Sequence, residues 1–430
     1  MSSLLIQNAR LVHASHTDVA GSDVYVQNGV IVGLNQAPAD FAPSKTINAN
    51  GQLMSFALAD LAVRLQEKGG NHRDLTAAVL KAAVAGGVAH VAALPDSAPI
   101  LDEPDVVGLL TAKSHAQGLA KVYPLGALTH GLKGEQLAEL ATLAENGCVA
   151  FSQADEPIKN TQVLQRALAY AASFGLPVWL RAQDASLGGG VVGAGAYASR
   201  LGLSGMSVAA ETIALHTLFE LLRGMGNQAP RVHICRISSA RAVELMRAAK
   251  LEKLNVTCDV NMHHLHLVDT DMGYFDSQFV FNPPLRSSAD RAALRAGVLD
   301  GTIDAVVSDH IAVDADAKQL PVGAAQAGSV GVQWLLNLLV LLAQEAKVDV
   351  AQALSAAVHR AYAVLHVPAP IWQNGTQASM VIFNPDAYQE LSVATVGAHL
   401  NTPYLGYELP AQVNYTIING ALVYAHTDAT

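Results

Sequence analysis

Ala59-Asp60-Leu61-Ala62-Val63-Arg64-Leu65-Gln66-Glu67-Lys68-Gly69 reads as a buried β-strand and the loop that leaves it. Leu61, Val63 and Leu65 give the strand its apolar character, and Gly69-Gly70 closes the turn. Downstream, short apolar runs alternate with helical stretches, the order of parallel βαβ units. Residues 74–87 read as an alanine-rich helix stopped by Gly86-Gly87, and Val88-Ala-His-Val-Ala-Ala-Leu94 as the next strand. Further strands are expected at 122–128, 148–151, 177–180, 231–237, 255–260 and 304–308, with helices at 135–146, 161–174 and around 211–223. A count near eight predicts a TIM-type (β/α)8 barrel, whose working face lies at the carboxyl ends of its strands.

The two ends of the chain read differently. Leu5 to Val12 is a short strand, and residues 23–32 alternate around Asn28-Gly29, a pair suited to a type I′ hairpin turn. The pattern returns at 378–383 and 413–424, with Asn419-Gly420 as the turn. The expected organisation is a barrel over 55–368, inserted between 1–54 and 369–430. Those two outer pieces together make one small β-sandwich domain. The Ala/Gly-rich stretch Gly188 to Gly195 is the best candidate for a mobile loop.

With 51% hydrophobic and 14% charged residues in 430, the chain has a large core to bury. A net charge of −10 argues against nucleic acid or an anionic membrane as partner. Cys148, Cys235 and Cys258 are far apart with no C-x-x-C pair, which predicts buried free thiols and no cysteine-built zinc site. The longest apolar run, Val330 to Leu342, is interrupted by Gln333 and Asn337 and is too short for a membrane span. No signal peptide is read at the start, so a cytoplasmic protein is expected.

Phe281-Asn282-Pro283-Pro284-Leu285-Arg286, then Asp300-Gly-Thr-Ile-Asp304 and Ser308-Asp309-His310, form an ordered set with specific spacing. His263-His264-Leu265, Phe151-Ser152, residues 232–238 and Asn401-Thr402-Pro403-Tyr404 extend it over nearly the whole chain. The set resembles the dihydroorotases, metal-dependent amidohydrolases that interconvert carbamoyl-aspartate and dihydroorotate. The resemblance implies an amidohydrolase-type barrel with a histidine- and carboxylate-bound metal centre. The opening stretch keeps the family frame, Val-Asp-Leu-His-x-His-Leu-Arg, without its chemistry. The two family histidines are Ala62 and Arg64 here, and the family's later ligand positions are Gln153, Arg181 and Arg236. Asp309, the last ligand and proton carrier of the family pattern, is retained as a vestige. Alanine offers no donor atom, and arginine stays protonated with no lone pair to give.

The family's substrate-carboxylate positions are altered as well. They are Gln66, Asp96 and Val313, with Asn282 and His310 left from the pocket; Asp96 is expected to repel an anion. The resemblance therefore implies a catalytically inactive chain that needs no cofactor. Its expected partner is the catalytic chain of aspartate carbamoyltransferase, in a homo- or hetero-oligomer. One alternative is an active cyclic amidohydrolase with an atypical zinc site. His263-x-x-His266 has a spacing that could put two rings on one helical face. The other alternative is an anion-binding protein, because Arg64, Arg181 and Arg236 facing Asp309 alone would leave positive charge in excess. At least one of these arginines is expected to pair with Asp309 and fill the metal volume, the alternative being that they turn outward to solvent.

Overall fold

The computed structural model describes residues 3–66, 74–391 and 401–426. Eight parallel strands follow one another in the central sheet: Leu58–Val63, Val88–Ala93, Lys121–Ala127, Ala150–Ser152, Val178–Arg181, Val232–Cys235, Val256–Asn261 and Ala305–Val307. The ring closes where the chain leaves the eighth strand. His310 N–H donates to Ala62 O and Arg64 N–H donates to His310 O, both at 3.0 Å. Closure leaves no sheet edge exposed and gathers the loops after all eight strands at one end. Every residue of the first strand is buried, which explains why its sequence, Asp60 apart, runs apolar without alternation.

Four of the helices between barrel strands start on side-chain caps. Asn160 accepts from Gln162 N–H at 2.9 Å ahead of Thr161–Ser173, and Ser207 caps Val208–Met225 through Ala209 N–H at 3.1 Å. The helix expected from 135 begins only at Leu140 and ends at Glu145. Its first residues are diverted because Leu137 bridges Thr129, and Gly134 N–H donates to Thr129 Oγ1. Gly188 to Gly195 is not a free loop: Val192–Gly193 pairs with Gly205–Met206, and a Cβ on Gly193 would sit 2.7 Å from Leu285 O. The Gly69-Gly70 turn and His72 lie outside the described residues.

The chain ends meet in a second sheet. Its order is 421–425, 408–418, 380–390, 53–56, 3–11, 22–27, 30–34, with 45–48 alongside 3–11. Both Asn-Gly turns hold positive φ at each central residue, 51° and 85° at 28–29, 51° and 75° at 419–420. The two turns also touch: a Cβ on Gly420 would lie 2.9 Å from Gly29 Cα, so only glycine fits there. A continuous apolar core joins this sheet to the barrel. All three cysteines are free and buried, and burial pushes Cys148 up to about 12, far from thiolate chemistry. No helix among the described residues is long and apolar enough to cross a membrane.

Asp60 ties the first strand to the eighth. Its carboxyl accepts from Ser308 N–H at 3.1 Å, from Ser308 Oγ and from Ala62 N–H at 3.3 Å. Burial nevertheless pushes its pKa up to about 7 against those bonds. The folded state thus holds a proton that the unfolded chain releases above about 4, so this group's contribution to stability falls as pH rises toward 7. Asp60→Asn keeps an acceptor for both N–H groups and a donor for Ser308 Oγ, and carries no charge. Its stability relative to the parent is expected to improve between pH 5 and pH 8 in urea unfolding. A difference independent of pH would refute a protonated Asp60.

Candidate functional site

At the loop end of the barrel, three arginines interlock with three aspartates. Arg64 follows the first strand, Arg181 ends the fifth and Arg236 follows the sixth. Asp309 follows the eighth strand, and Asp96 and Asp155 come from the loops after the second and fourth. Arg64 reaches all three carboxylates, through Nε to Asp96 Oδ2 at 2.8 Å, Nη2 to Asp155 Oδ2 at 2.7 Å and Nη1 to Asp309 Oδ1 at 3.3 Å. Arg236 joins two of them, through Nη1 to Asp309 Oδ1 at 2.7 Å and Nη2 to Asp155 Oδ1 at 2.6 Å. Asn261, at the end of the seventh strand, donates to Asp309 Oδ2 at 3.2 Å. Arg181 Nη1 lies 3.5 Å from Asp155 Oδ1 without hydrogen-bond geometry.

The expected pairing with Asp309 is therefore made twice, by Arg64 and by Arg236. The expected excess of positive charge is not there. Asp96 and Asp155 join Asp309, and three carboxylates balance three guanidinium groups. Asp96 is likewise no bare repulsive charge, because Arg64 holds it. Burial opposes the charges of Arg64 and Arg236, yet the surrounding aspartates outweigh it and hold both pKa values above the ordinary arginine range. Burial pulls Arg181 down to about 10, partly offset by Asp155, and it remains a cation at neutral pH.

Backbone geometry aims these groups. Arg236 and Asp309 sit at φ of 56° and 47°, a left-handed conformation uncommon for residues with a Cβ. Asp259 holds the turn at Arg236, accepting Arg236 N–H at 2.5 Å on one oxygen and meeting His233 Nε2 at 2.9 Å on the other. Next to it, buried Glu211 accepts from Ser238 N–H at 2.6 Å and Ser239 Oγ at 2.5 Å. Burial raises the Glu211 carboxyl, and Arg286 of the Asn-Pro-Pro-Leu-Arg run opposes that rise.

The remaining anticipated positions are drawn elsewhere. Ala62 is buried in the first strand. Gln153 points away from the cluster, taking a hydrogen bond from Thr129 Oγ1 at 3.0 Å and donating to Leu132 O at 2.7 Å. Gln66 pairs with the Ala98 backbone in both directions. Val313 is buried, and Asn282 stands partly exposed before Pro283. His310 Nδ1 accepts from Gly331 N–H at 3.1 Å and from Val332 N–H at 3.3 Å.

His263 and His266 do not form a ligand pair. The first meets Tyr404 Oη at 3.4 Å and the second Leu338 O at 2.9 Å. Burial lowers both, His266 to about 3. Sequence reasoning misses Asp155. Its signal is an acid two places beyond Gln153, brought inward because Ala154 turns the chain at φ 50°.

A metal ion does not fit this donor set. The positions that would supply lone pairs hold Ala62, three cations and Gln153, whose amide is spent on Thr129 and Leu132, and the carboxylates that could bind an ion are already engaged by guanidinium. Above the cluster lies a cavity of about 580 Å³, walled by Arg64, Asp96, Asp155, Lys133 and Lys159.

The comparisons with known proteins agree with this architecture. The family model described as dihydro-orotase-like matches residues 51–242. A dihydroorotase-like protein of Pseudomonas aeruginosa is 37% identical over 98% of this chain and 99% of its own length. A dihydroorotase of Citrifermentans bemidjiense is 33% identical over the same shares, 98% and 99%. Among solved structures, the L-hydantoinase (dihydropyrimidinase) of Arthrobacter aurescens superposes with a TM-score of 0.86 at 18% identity, covering 99% of this chain and 96% of that one. That last likeness concerns the fold.

Proposed function

This chain belongs to the dihydroorotase-like family, and we propose that it is a catalytically inactive member with a structural role, that of binding and supporting the catalytic chain of aspartate carbamoyltransferase. The observation that carries the reading is the guanidinium of Arg236 bridging Asp309 and Asp155, with Arg64 beside it. Guanidinium supplies positive charge but no vacant orbital. It can satisfy Asp309 electrostatically, yet it neither lowers the pKa of a bound water nor polarises a carbonyl as a Lewis acid. Asp309, fixed by Arg236, Arg64 and Asn261, is in no position to move a proton to substrate. The partner is inferred from the family resemblance, and the intact barrel frame is what such a role requires.

Two measurements test this reading. Purified protein, supplied with zinc and assayed with dihydroorotate, is expected to show no turnover above buffer and no metal retained at the barrel mouth. Mixed with the catalytic chain of aspartate carbamoyltransferase, it is expected to co-elute as a larger complex on size exclusion. Turnover that depends on Asp309 would support the active amidohydrolase instead, and separate elution would remove the structural role. The anion-binding reading loses its motive, because the arginines are neutralised from within.

A further inference from the structure

Far from the barrel mouth, on the loop after the first strand of the terminal sheet, His13, His16 and Asp18 converge. We propose that these three side chains form a binding site for one divalent transition-metal ion of the zinc class. The ligand atoms are His13 Nε2, His16 Nε2 and an Asp18 carboxylate oxygen, all within 4.8 Å of one another. His13 Nε2 lies 3.1 Å and His16 Nε2 3.8 Å from Asp18 Oδ1. A tetrahedral ion with nitrogen and oxygen bonds near 2.0–2.1 Å has ligand–ligand edges of about 3.3 Å, between those two separations. The imidazole rings stack in parallel, 4.4 Å apart and tilted by only 4°, so the exposed His16 ring turns out of the stack when both in-plane lone pairs meet one ion.

His13 Nε2 is the telling atom. It is buried, yet despite its nearness to Asp18 it makes no hydrogen bond. A buried imidazole nitrogen normally has a partner, and an ion on its lone pair would supply one. His16 is 62% exposed, which leaves solvent access and a free fourth position. A tightly enclosed structural site would have neither.

The loop is held in place before any ion arrives. Arg10 Nε donates to Asp18 O at 3.0 Å, and Trp372 Nε1 to Val12 O at 2.9 Å. Thr17 gives its N–H and hydroxyl to Asp349, which caps the helix Val350–Leu354 on the barrel side. Two imidazoles and one carboxylate suit zinc, nickel or copper(II) and are poor for magnesium or calcium. An ion here would fasten the loop on which the terminal sheet meets that helix.

Zinc titrated into the full-length protein is expected to occupy this site at one equivalent. Cobalt(II) in its place is expected to give the intense visible absorption of four-coordinate cobalt. His16→Ala, at an exposed ring, and His13→Gln are each expected to weaken that equivalent by roughly a hundredfold or more, since even outer partners of a ligand are worth ten- to a hundredfold. Zinc is also expected to raise the unfolding midpoint of the parent and leave that of His16→Ala unmoved. Parent protein that takes up no zinc at micromolar concentration, or both variants titrating like the parent, would overturn the proposal.

Discussion

Arg236→Ala is expected to destabilise the folded protein by about 3–5 kcal/mol at pH 8, the range for removing one partner of a buried ion pair. Arg236 is 1% exposed and Asp309 3%, so Asp309 is left away from bulk water, while Asp155 on the cavity wall stays partly solvated. Arg64 still reaches Asp155 and Asp309, which keeps the loss from being larger. The pH dependence distinguishes this cause from a simple packing loss. Without Arg236 the two carboxylates keep only Arg64 as a hydrogen-bonded cation, so the folded variant favours protonating one of them more than the parent does. Relative to the parent, such a group costs stability while ionised and stops costing it once protonated. The deficit of Arg236→Ala against the parent should therefore shrink as pH falls from 8 to 5, measured by urea unfolding at each pH. A deficit that stays constant over that range would mean the side chain matters as volume and not as charge.

Much of this can be read from residues alone, for identifiable reasons. The barrel strands are legible because strands buried on both faces run largely apolar, as at Val88–Ala93 and Ala305–Val307. The terminal domain is legible through Asn28-Gly29 and Asn419-Gly420, since few other pairs tolerate positive φ twice in succession. That Arg64, Arg181 and Arg236 turn inward follows from their places at the ends of barrel strands. Their counter-charges are not legible. Asp155 enters the cluster because Ala154 adopts a left-handed backbone, and no side-chain pattern announces that. Asp96 reads as a charge facing a ligand, whereas it faces Arg64 across 2.8 Å. Pairings between distant loops depend on the closed barrel, and a linear spacing carries no information about them. The start of the helix slips to Leu140 for a similar reason, since the Thr129 hydroxyl and a bridge to Leu137 outcompete helix formation over 135–139.

The same charge balance governs any attempt to build a metal centre at the barrel mouth. Arg64→His, Arg181→His and Arg236→His combined would place imidazoles at three strand ends while removing all three buried cations at once. In the absence of metal at pH 8, neutral imidazoles cannot compensate Asp96, Asp155 and Asp309. The expected loss is on the order of 5 kcal/mol or more, since orphaning buried Asp309 alone is worth several and the partly buried Asp155 and Asp96 add to it. That is comparable with the whole stability of a typical domain, about 5–15 kcal/mol, so the metal-free triple variant should be largely unfolded. Zinc should rescue it, because an ion that binds the folded state alone restores the lost charge and stabilises by mass action. Thermal unfolding with and without zinc reads both effects, on a background carrying His16→Ala so that only the barrel mouth responds. Folding of the triple variant without metal, as stably as its background, would show that the aspartates do not depend on the arginines. Stabilisation by zinc would show instead that the carboxylates still converge on a point where a divalent cation can sit. The arginines would then be the occupants of the metal volume, and the present chain a barrel that keeps its central charge by another means.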